Sequence, residues 1–169
     1  MRAFCLVCLL VFSSVSFAKT AEQLRAAYLI QIPAFVRYTN TNHKPYKVTY
    51  CFAEQLGKVG GLIDAQQSVL KKRMNFSLVV VKQATVDKLK ECTYLYLAKN
   101  TDNIDQYIKQ ADTKTIAIGE ELSVMEDGAL MSLVQEQNKI RIHINRTKLD
   151  ENTVSFNARL LSLAKVANY

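Results

Sequence analysis

Residues 47–118 decide the fold through four short apolar runs, KVTYCFA (47–53), FSLVVV (76–81), TYLYLA (93–98) and TIAI (115–118). Their β-branched and aromatic residues favour strands. The segments between them predict helices that begin at residues 57–61 and that cover residues 85–91 and 102–111. Strands that alternate with short helices form parallel sheets through right-handed crossovers. The sequence therefore predicts an α/β fold in three layers, a mainly parallel sheet with flanking helices.

The flanks of this stretch predict one helix before the sheet and a hairpin with a closing helix after it. Residues 21–36 carry Leu24, Tyr28, Ile32 and Phe35 at helical spacing, and Pro33 should kink or end that helix. The runs ALMSLV (129–134) and KIRIHIN (139–145) predict an antiparallel hairpin at the C-terminal edge of the sheet. A closing helix should follow Asn157, its N-cap, with one face formed by Leu160, Leu163, Ala164 and Ala167.

The first 18 residues, MRAFCLVCLLVFSSVSFA, have the features of a secretory signal peptide. A basic residue precedes an apolar run too short to span a bilayer, and small residues precede the expected cleavage point after Ala18. Lipidation at Cys8 is the alternative, but it would leave too short an apolar stretch before it. We therefore expect an exported chain whose residues 19–169 form a single α/β domain.

The charge of the chain does not indicate a nucleic-acid-binding protein. The formal net charge of +7 becomes +6 without the leader, 21 basic minus 15 acidic residues, because the leader contains Arg2 and no acid. The one basic triplet, Lys71-Lys72-Arg73, has no interleaved aromatic residues. An exported basic surface is instead expected to meet anionic lipid headgroups or an acidic protein, or to maintain solubility.

Two cysteines remain after the leader, Cys51 in the first strand and Cys92 before the third. In an oxidising compartment a structural disulfide is favoured, and closing a loop of that length would contribute about 4 kcal/mol. Free or catalytic thiols are the alternative. The spacing does not match C-x-x-C, and two thiols are too few for a cysteine-rich metal site.

The sequence contains no pattern that predicts catalysis. His43 and His143 have no sequence partners of the kind that triads or zinc sites require, and neither G-x-S-x-G nor H-E-x-x-H occurs. The glycines of residues 57–61 lack the remainder of a phosphate-binding motif, so they are expected only to permit a turn. We therefore expect no enzyme activity, no metal and no cofactor.

Four segments in order carry a resemblance to a known family: AAYLIQIPAFVRY (26–38), VTYCFA (48–53), KECTYLYL (90–97) and residues 139–165. With the leader, they resemble the YfiR/HmsC-like family of small bacterial periplasmic proteins. The resemblance implies a repressor that binds the periplasmic portion of an inner-membrane GGDEF diguanylate cyclase and so lowers cyclic-di-GMP and biofilm formation. It also implies a homodimer, sequestration by an outer-membrane lipoprotein, and pairing of Cys51 with Cys92.

The chain departs from the family pattern at three places. Tyr38 replaces the usual Trp and Pro33 interrupts the first helix, which alters the expected shape of that region. His143 stands where an acidic residue is common, so a charge contact there would be lost or would depend on pH. A second cysteine pair found in some members is absent, which weakens any two-disulfide redox switch.

Six residues are predicted to contact the partner, because of their expected exposure and their place in the family segments. They are Phe35, Arg37 and Tyr38 near the end of the first helix, and Arg141, His143 and Asn145 on the last predicted strand. An alternative function is a periplasmic sensor that binds a small ligand in the crevice at the carboxyl ends of the strands, near residues 57–61. A thiol oxidoreductase is the third hypothesis.

Overall fold

A seven-stranded sheet forms the centre of the protein in a computed structural model that describes residues 19–38, 47–73 and 77–169. The predicted signal peptide, residues 1–18, and the predicted loop at residues 39–45 lie outside the described residues. The helices are α1 (Ala21–Gln31), α2 (Gly57–Arg73), α3 (Ile104–Gln110), α4 (Ser123–Glu126), α5 (Arg146–Glu151) and α6 (Ala158–Leu163). The strands are β1 (Val36–Tyr38), β2 (Lys47–Ala53), β3 (Ser77–Ala84), β4 (Tyr94–Leu97), β5 (Ile116–Gly119), β6 (Met131–Glu136), β7 (Lys139–Asn145), β8 (Val154–Phe156) and β9 (Ala164–Ala167).

The strand order in the sheet is β3-β2-β4-β5-β6-β7-β9. Strands β2 to β6 are parallel, and β7 pairs with β6 in the antiparallel direction. The chain moves outward from β2 to β3 and then returns to the other side of β2 for β4, so the winding direction reverses between β2 and β4. The mainly parallel sheet predicted from the sequence is confirmed, as is the antiparallel hairpin.

The end of the chain differs from the predicted closing helix. Asn157 is the N-cap, and its side chain accepts a hydrogen bond from the Leu160 N–H at 3.0 Å. The helix ends at Leu163, however, and Ala164–Ala167 form β9, which pairs in parallel with β7 outside the hairpin. The prediction of a helix to Ala167 was wrong because the outer edge of β7 offers backbone partners that a longer helix would leave unpaired.

Helices cover both faces of the sheet and give the predicted three layers. On one face, residues of α1 and α2 such as Leu29 and Ile63 pack on strand residues such as Tyr50. On the other face, a 3₁₀ helix (Val86–Glu91), α3 and α4 pack on residues such as Leu95. A separate antiparallel pair, β1 with β8, adds Val36, Val154 and Phe156 to the first core.

The first helix ends where Pro33 requires it to end. Thr20 and Gln23 form a capping box at its start, and a 3₁₀ turn (Ile32–Ala34) follows its last residue, Gln31. Pro33 has no N–H, so the Leu29 carbonyl four residues earlier lacks its helical donor. The buried Tyr50 hydroxyl donates a hydrogen bond to that carbonyl at 2.6 Å. The predicted end near Pro33 is therefore confirmed.

Candidate functional site

The first group of predicted contact residues lies on and beside the short strand β1. Arg37 is exposed, whereas Phe35 and Tyr38 are half-buried. Strand β1 is held by pairing with β8, in which Arg37 faces Ser155 across the ladder. Burial raises the pKa of the Tyr38 hydroxyl, so this ring stays neutral. The segment thus presents one cation beside two partly covered aromatic rings.

The second group lies on β7 and has only one member at the surface. Arg141 is exposed, and its Nε lies 3.5 Å from the Glu136 carboxylate. Asn145 is 1% exposed; its side chain caps α5 by accepting from the Lys148 N–H and donates to the Met125 carbonyl. The signal for this cap was present in the sequence, because Asn is a preferred N-cap residue.

His143 is also buried, within a polar cluster that fastens the C-terminal strand. Its Nδ1 lies 2.7 Å from the Tyr169 hydroxyl and its Nε2 lies 3.2 Å from Glu136 Oε1. Glu136 also accepts a hydrogen bond from Lys165 of β9 at 2.8 Å. The hydrogen bond from Lys165 and then the contact with His143 are the largest of the effects that lower the pKa of the Glu136 carboxyl to about 2.

The two predicted groups lie on opposite faces of the sheet. Arg141, His143 and Asn145 alternate with the isoleucines of β7, which belong to the same core as Val36 of β1. Because side chains of a strand alternate between faces, the arginine of β7 points away from the face that β1 covers. The structure therefore does not bring the six predicted contact residues into one patch.

Cys51 and Cys92 form a disulfide that joins β2 to the segment before β4. Their Cα atoms are 5.7 Å apart, and the cysteines are 0% and 5% exposed. Strands β2 and β4 are neighbours in the sheet, as the predicted bridge requires. Both sulfurs lie in the second core, which favours a structural bridge over the free or catalytic thiols left open by the sequence.

A crevice of about 310 Å³ opens at the carboxyl ends of β2 and β4, where the winding direction reverses. Such a reversal is the usual place for ligands in open α/β sheets. Helix α2 begins there with Gly57, whose φ of +59° suits glycine. The start of this helix confirms the helix expected at residues 57–61, and its first three residues line the crevice.

Three side chains from separate elements meet in this crevice. Tyr96 of β4 donates a hydrogen bond to Glu120 Oε1 at 2.5 Å, and the other carboxylate oxygen lies 3.8 Å from the Arg25 guanidinium. Arg25 is buried, and its Nε donates to the Leu133 carbonyl at 3.0 Å. Burial, together with the neighbouring Glu120 carboxylate, raises the pKa of Tyr96, so its hydroxyl remains a donor.

This trio was not predicted from the sequence. Arg25 lies within an apolar helical stretch, whereas Tyr96 lies in an apolar strand and Glu120 in the loop after β5. No spacing pattern links positions so far apart, and only the sheet topology brings them together. The one available signal was a basic residue on the buried face of α1.

Within the described ranges, no helix is long and apolar enough to cross a bilayer. The same residues contain no group of three or more His, Cys, Asp or Glu side chains that could hold a metal ion.

Comparison with protein families matches residues 22–165 to the family described as YfiR/HmsC-like. Comparison with curated proteins gives no match. The fold is similar to that of a conserved domain protein from Vibrio cholerae O1 biovar El Tor, with 13% identity and a TM-score of 0.55. That match covers 86% of this chain and 59% of the other.

A second similar structure is the ABC domain in complex with L-Trp from Streptococcus pneumonia, with 10% identity and a TM-score of 0.54. That match covers 87% of this chain and 62% of the other. This chain therefore spans about three fifths of the length of each solved protein. At these identities the similarity establishes the fold alone.

Proposed function

The chain belongs to the YfiR/HmsC-like family, and we propose on that basis that it is a periplasmic regulator that represses a diguanylate cyclase. It would bind the periplasmic portion of an inner-membrane GGDEF cyclase, lowering cyclic-di-GMP and biofilm formation. The family match over residues 22–165 is the observation that carries this proposal. A homodimer and an outer-membrane lipoprotein that sequesters the protein are further partners that the family implies.

Repression of this kind needs binding and no chemical step. A cyclase that exchanges between active and inactive arrangements is repressed by any partner that prefers the inactive one. The shift in population is limited by the difference between the two affinities, and reversing a 99:1 ratio takes about 5.5 kcal/mol. The protein therefore needs a contact surface that fits one arrangement of its partner.

Arg37 and Arg141 are the predicted contact residues with the greatest freedom to meet a partner, because both are exposed. Phe35 and Tyr38 would add apolar area beside Arg37, as aromatic anchors do in many interfaces. The buried His143 and Asn145 would act by holding β7 and α5 in place. Since β1 covers one face of the sheet and the Arg141 side chain points to the other, one partner chain would contact one group and a second chain the other.

The test is direct binding between the exported protein and the soluble periplasmic domain of a candidate GGDEF cyclase from the same organism, measured by calorimetry. Arg37→Glu and Arg141→Glu should each weaken binding by at least about tenfold, because each reverses a charge at an interface. Lys109→Glu is the matched control. It reverses the charge of an exposed lysine on α3, and this variant should bind the cyclase domain as tightly as the unaltered protein does. Absence of a complex with the unaltered protein would refute the proposal.

A small-ligand sensor is a second candidate because of the crevice at the carboxyl ends of β2 and β4. Its volume of about 310 Å³ is at the lower end of the range for ligand pockets. The Arg25 guanidinium and the first N–H groups of α2 could receive a carboxylate there. The Streptococcus structure holds L-Trp in a similar fold, which makes free amino acids reasonable probes.

Thermal unfolding with L-tryptophan and other amino acids tests this second candidate. A ligand at 100 times its dissociation constant should stabilise the protein by about 2.7 kcal/mol. Glu120→Ala removes the hydrogen-bond partner of Tyr96. If the crevice is the site, this variant should show a different amount of stabilisation by the ligand. Unchanged melting temperatures across the panel would leave the crevice without support as an amino-acid site.

A further inference from the structure

Five exposed lysines lie together at the edge of the sheet where the parallel strands begin. We name them the basic edge: Lys47, Lys71, Lys72, Lys90 and Lys114. Lys47 is the first residue of β2, while Lys90 and Lys114 precede β4 and β5 by a few residues. Helix α2 runs back from the carboxyl ends of the strands, so Lys71 and Lys72 in its last turn reach the same edge.

None of these five lysines forms an ion pair with another described residue. By contrast, Lys58, Lys82 and Lys99, which lie towards the opposite edge, each have a carboxylate partner within 4 Å. Lysines without partners keep their full charge available to an external ligand. The basic edge therefore differs from these three lysines in the availability of its charge.

Charge is divided between the two ends of the strands. Four carboxylates lie at the same end of the strands as the five lysines. Glu91 and Asp112 are two of them, and Asp112 accepts the Lys114 N–H at 3.1 Å. Asp127 and Glu151 are the others, and they line one cavity with Thr113 and Thr115. At the other end, the loops after β2, β4 and β5 contain four acids, Glu54, Asp102, Glu120 and Glu121. The lysines towards that end, Lys58, Lys82 and Lys99, are each paired with a carboxylate. An anionic surface would attract one end and repel the other, which orients the molecule.

An exposed apolar side chain adjoins the lysines of α2. Val69 is 48% exposed, and it lies one turn before Lys72 on the outer face of the helix. Val69 adds exposed apolar surface next to Lys72, which could enter the headgroup region of a bilayer. Val69 thus supplies an observation independent of charge.

We propose that the basic edge docks on a bilayer surface rich in anionic lipid headgroups. The lysines are spread along an edge rather than gathered in a pocket: β2 and β5 are two strand spacings apart, roughly 10 Å. Ammonium groups act as point charges and need no fixed geometry, which suits mobile phosphate headgroups. A nucleic acid is less well matched, because α2, the 3₁₀ helix and residues 112–115, which carry four of these lysines, contain no aromatic residue for stacking.

Docking in this way would place the crevice away from the bilayer. Any membrane-anchored partner would then meet a protein that is already oriented. The proposal does not depend on the identity of that partner.

Co-sedimentation of the purified, exported protein with lipid vesicles tests the proposal. We expect binding to vesicles of equal parts phosphatidylcholine and phosphatidylglycerol, loss of that binding in high salt, and no binding to phosphatidylcholine alone. Each lysine near an anionic surface should contribute about fivefold to affinity, so Lys47→Gln/Lys71→Gln/Lys72→Gln should weaken binding about a hundredfold. The melting temperature should not fall, since these side chains are exposed and unpaired.

The matched control is Lys58→Gln/Lys82→Gln/Lys99→Gln, which removes the same charge from exposed lysines nearer the opposite edge. It should weaken binding by less than about fivefold in total. Three results would overturn the proposal: no binding of the unaltered protein to the anionic vesicles, equal binding to neutral vesicles, or equal losses in the two triple variants.

Discussion

Replacing Tyr50 with phenylalanine should destabilise the protein, because it removes the hydrogen bond that compensates for the missing N–H of Pro33. The Tyr50 hydroxyl donates to the Leu29 carbonyl at 2.6 Å, and both residues are 0% exposed. Tyr50→Phe keeps the ring, which stacks on Tyr94 with centroids 5.0 Å apart, and removes only the donor. The carbonyl is then buried without a partner, which should lower the free energy of unfolding by about 1–3 kcal/mol.

A second substitution separates this explanation from a general loss of packing. Pro33→Ala restores an N–H four residues after Leu29, where an α-helical donor belongs, and alone should cost less than about 1 kcal/mol. Urea unfolding of both single variants and the double variant gives a double-mutant cycle. Tyr50→Phe should cost at least about 1 kcal/mol less when residue 33 is alanine. Equal costs in the two backgrounds would refute the explanation.

Two further predictions concern stability. Cys51→Ala/Cys92→Ala removes the bridge between residues with a sequence separation of 41. The free energy of unfolding should fall by about 4 kcal/mol and the melting temperature by roughly 8–16 °C. A fall in melting temperature of less than about 3 °C would contradict the chain-entropy account of the bridge. The lowered pKa of Glu136, set first by its hydrogen bond with Lys165, means that its stabilising effect is present above pH 4.5 and lost as the pH falls towards 2. Unfolding at pH 7 and pH 3 should therefore show a smaller loss of stability for Glu136→Gln than for the unaltered protein, and equal losses would refute this assignment.

The sequence was sufficient for the central sheet because its signals are local. Each parallel strand is a short run rich in β-branched and aromatic residues, and helices separate the runs. Residues 164–167 had no such signal: Leu160, Leu163 and Ala167 fit a helical face, and the strand forms because β7 offers an unpaired edge. Strand β1 is three residues long and depends on β8, more than a hundred residues later.

The candidate sites divide in the same way. The disulfide was favoured from the sequence because two cysteines remained after the leader in an expected oxidising compartment. Only the structure shows that β2 and β4 are neighbours. The crevice was expected from the fold, but its Arg25–Glu120–Tyr96 contacts were not, since they join residues from three elements. His143 and Asn145 were expected to be exposed, and the sequence could not reveal that Tyr169 contacts His143 and that Asn145 caps α5.

Cellular cyclic-di-GMP tests the proposed repression most directly. In a strain that expresses the candidate cyclase, deleting this protein should raise cyclic-di-GMP, measured by mass spectrometry. The unaltered gene should restore the lower level, and Arg37→Glu should restore it less well. An unchanged cyclic-di-GMP level after deletion, with the cyclase present and active, would contradict the assignment of this protein as a cyclase repressor.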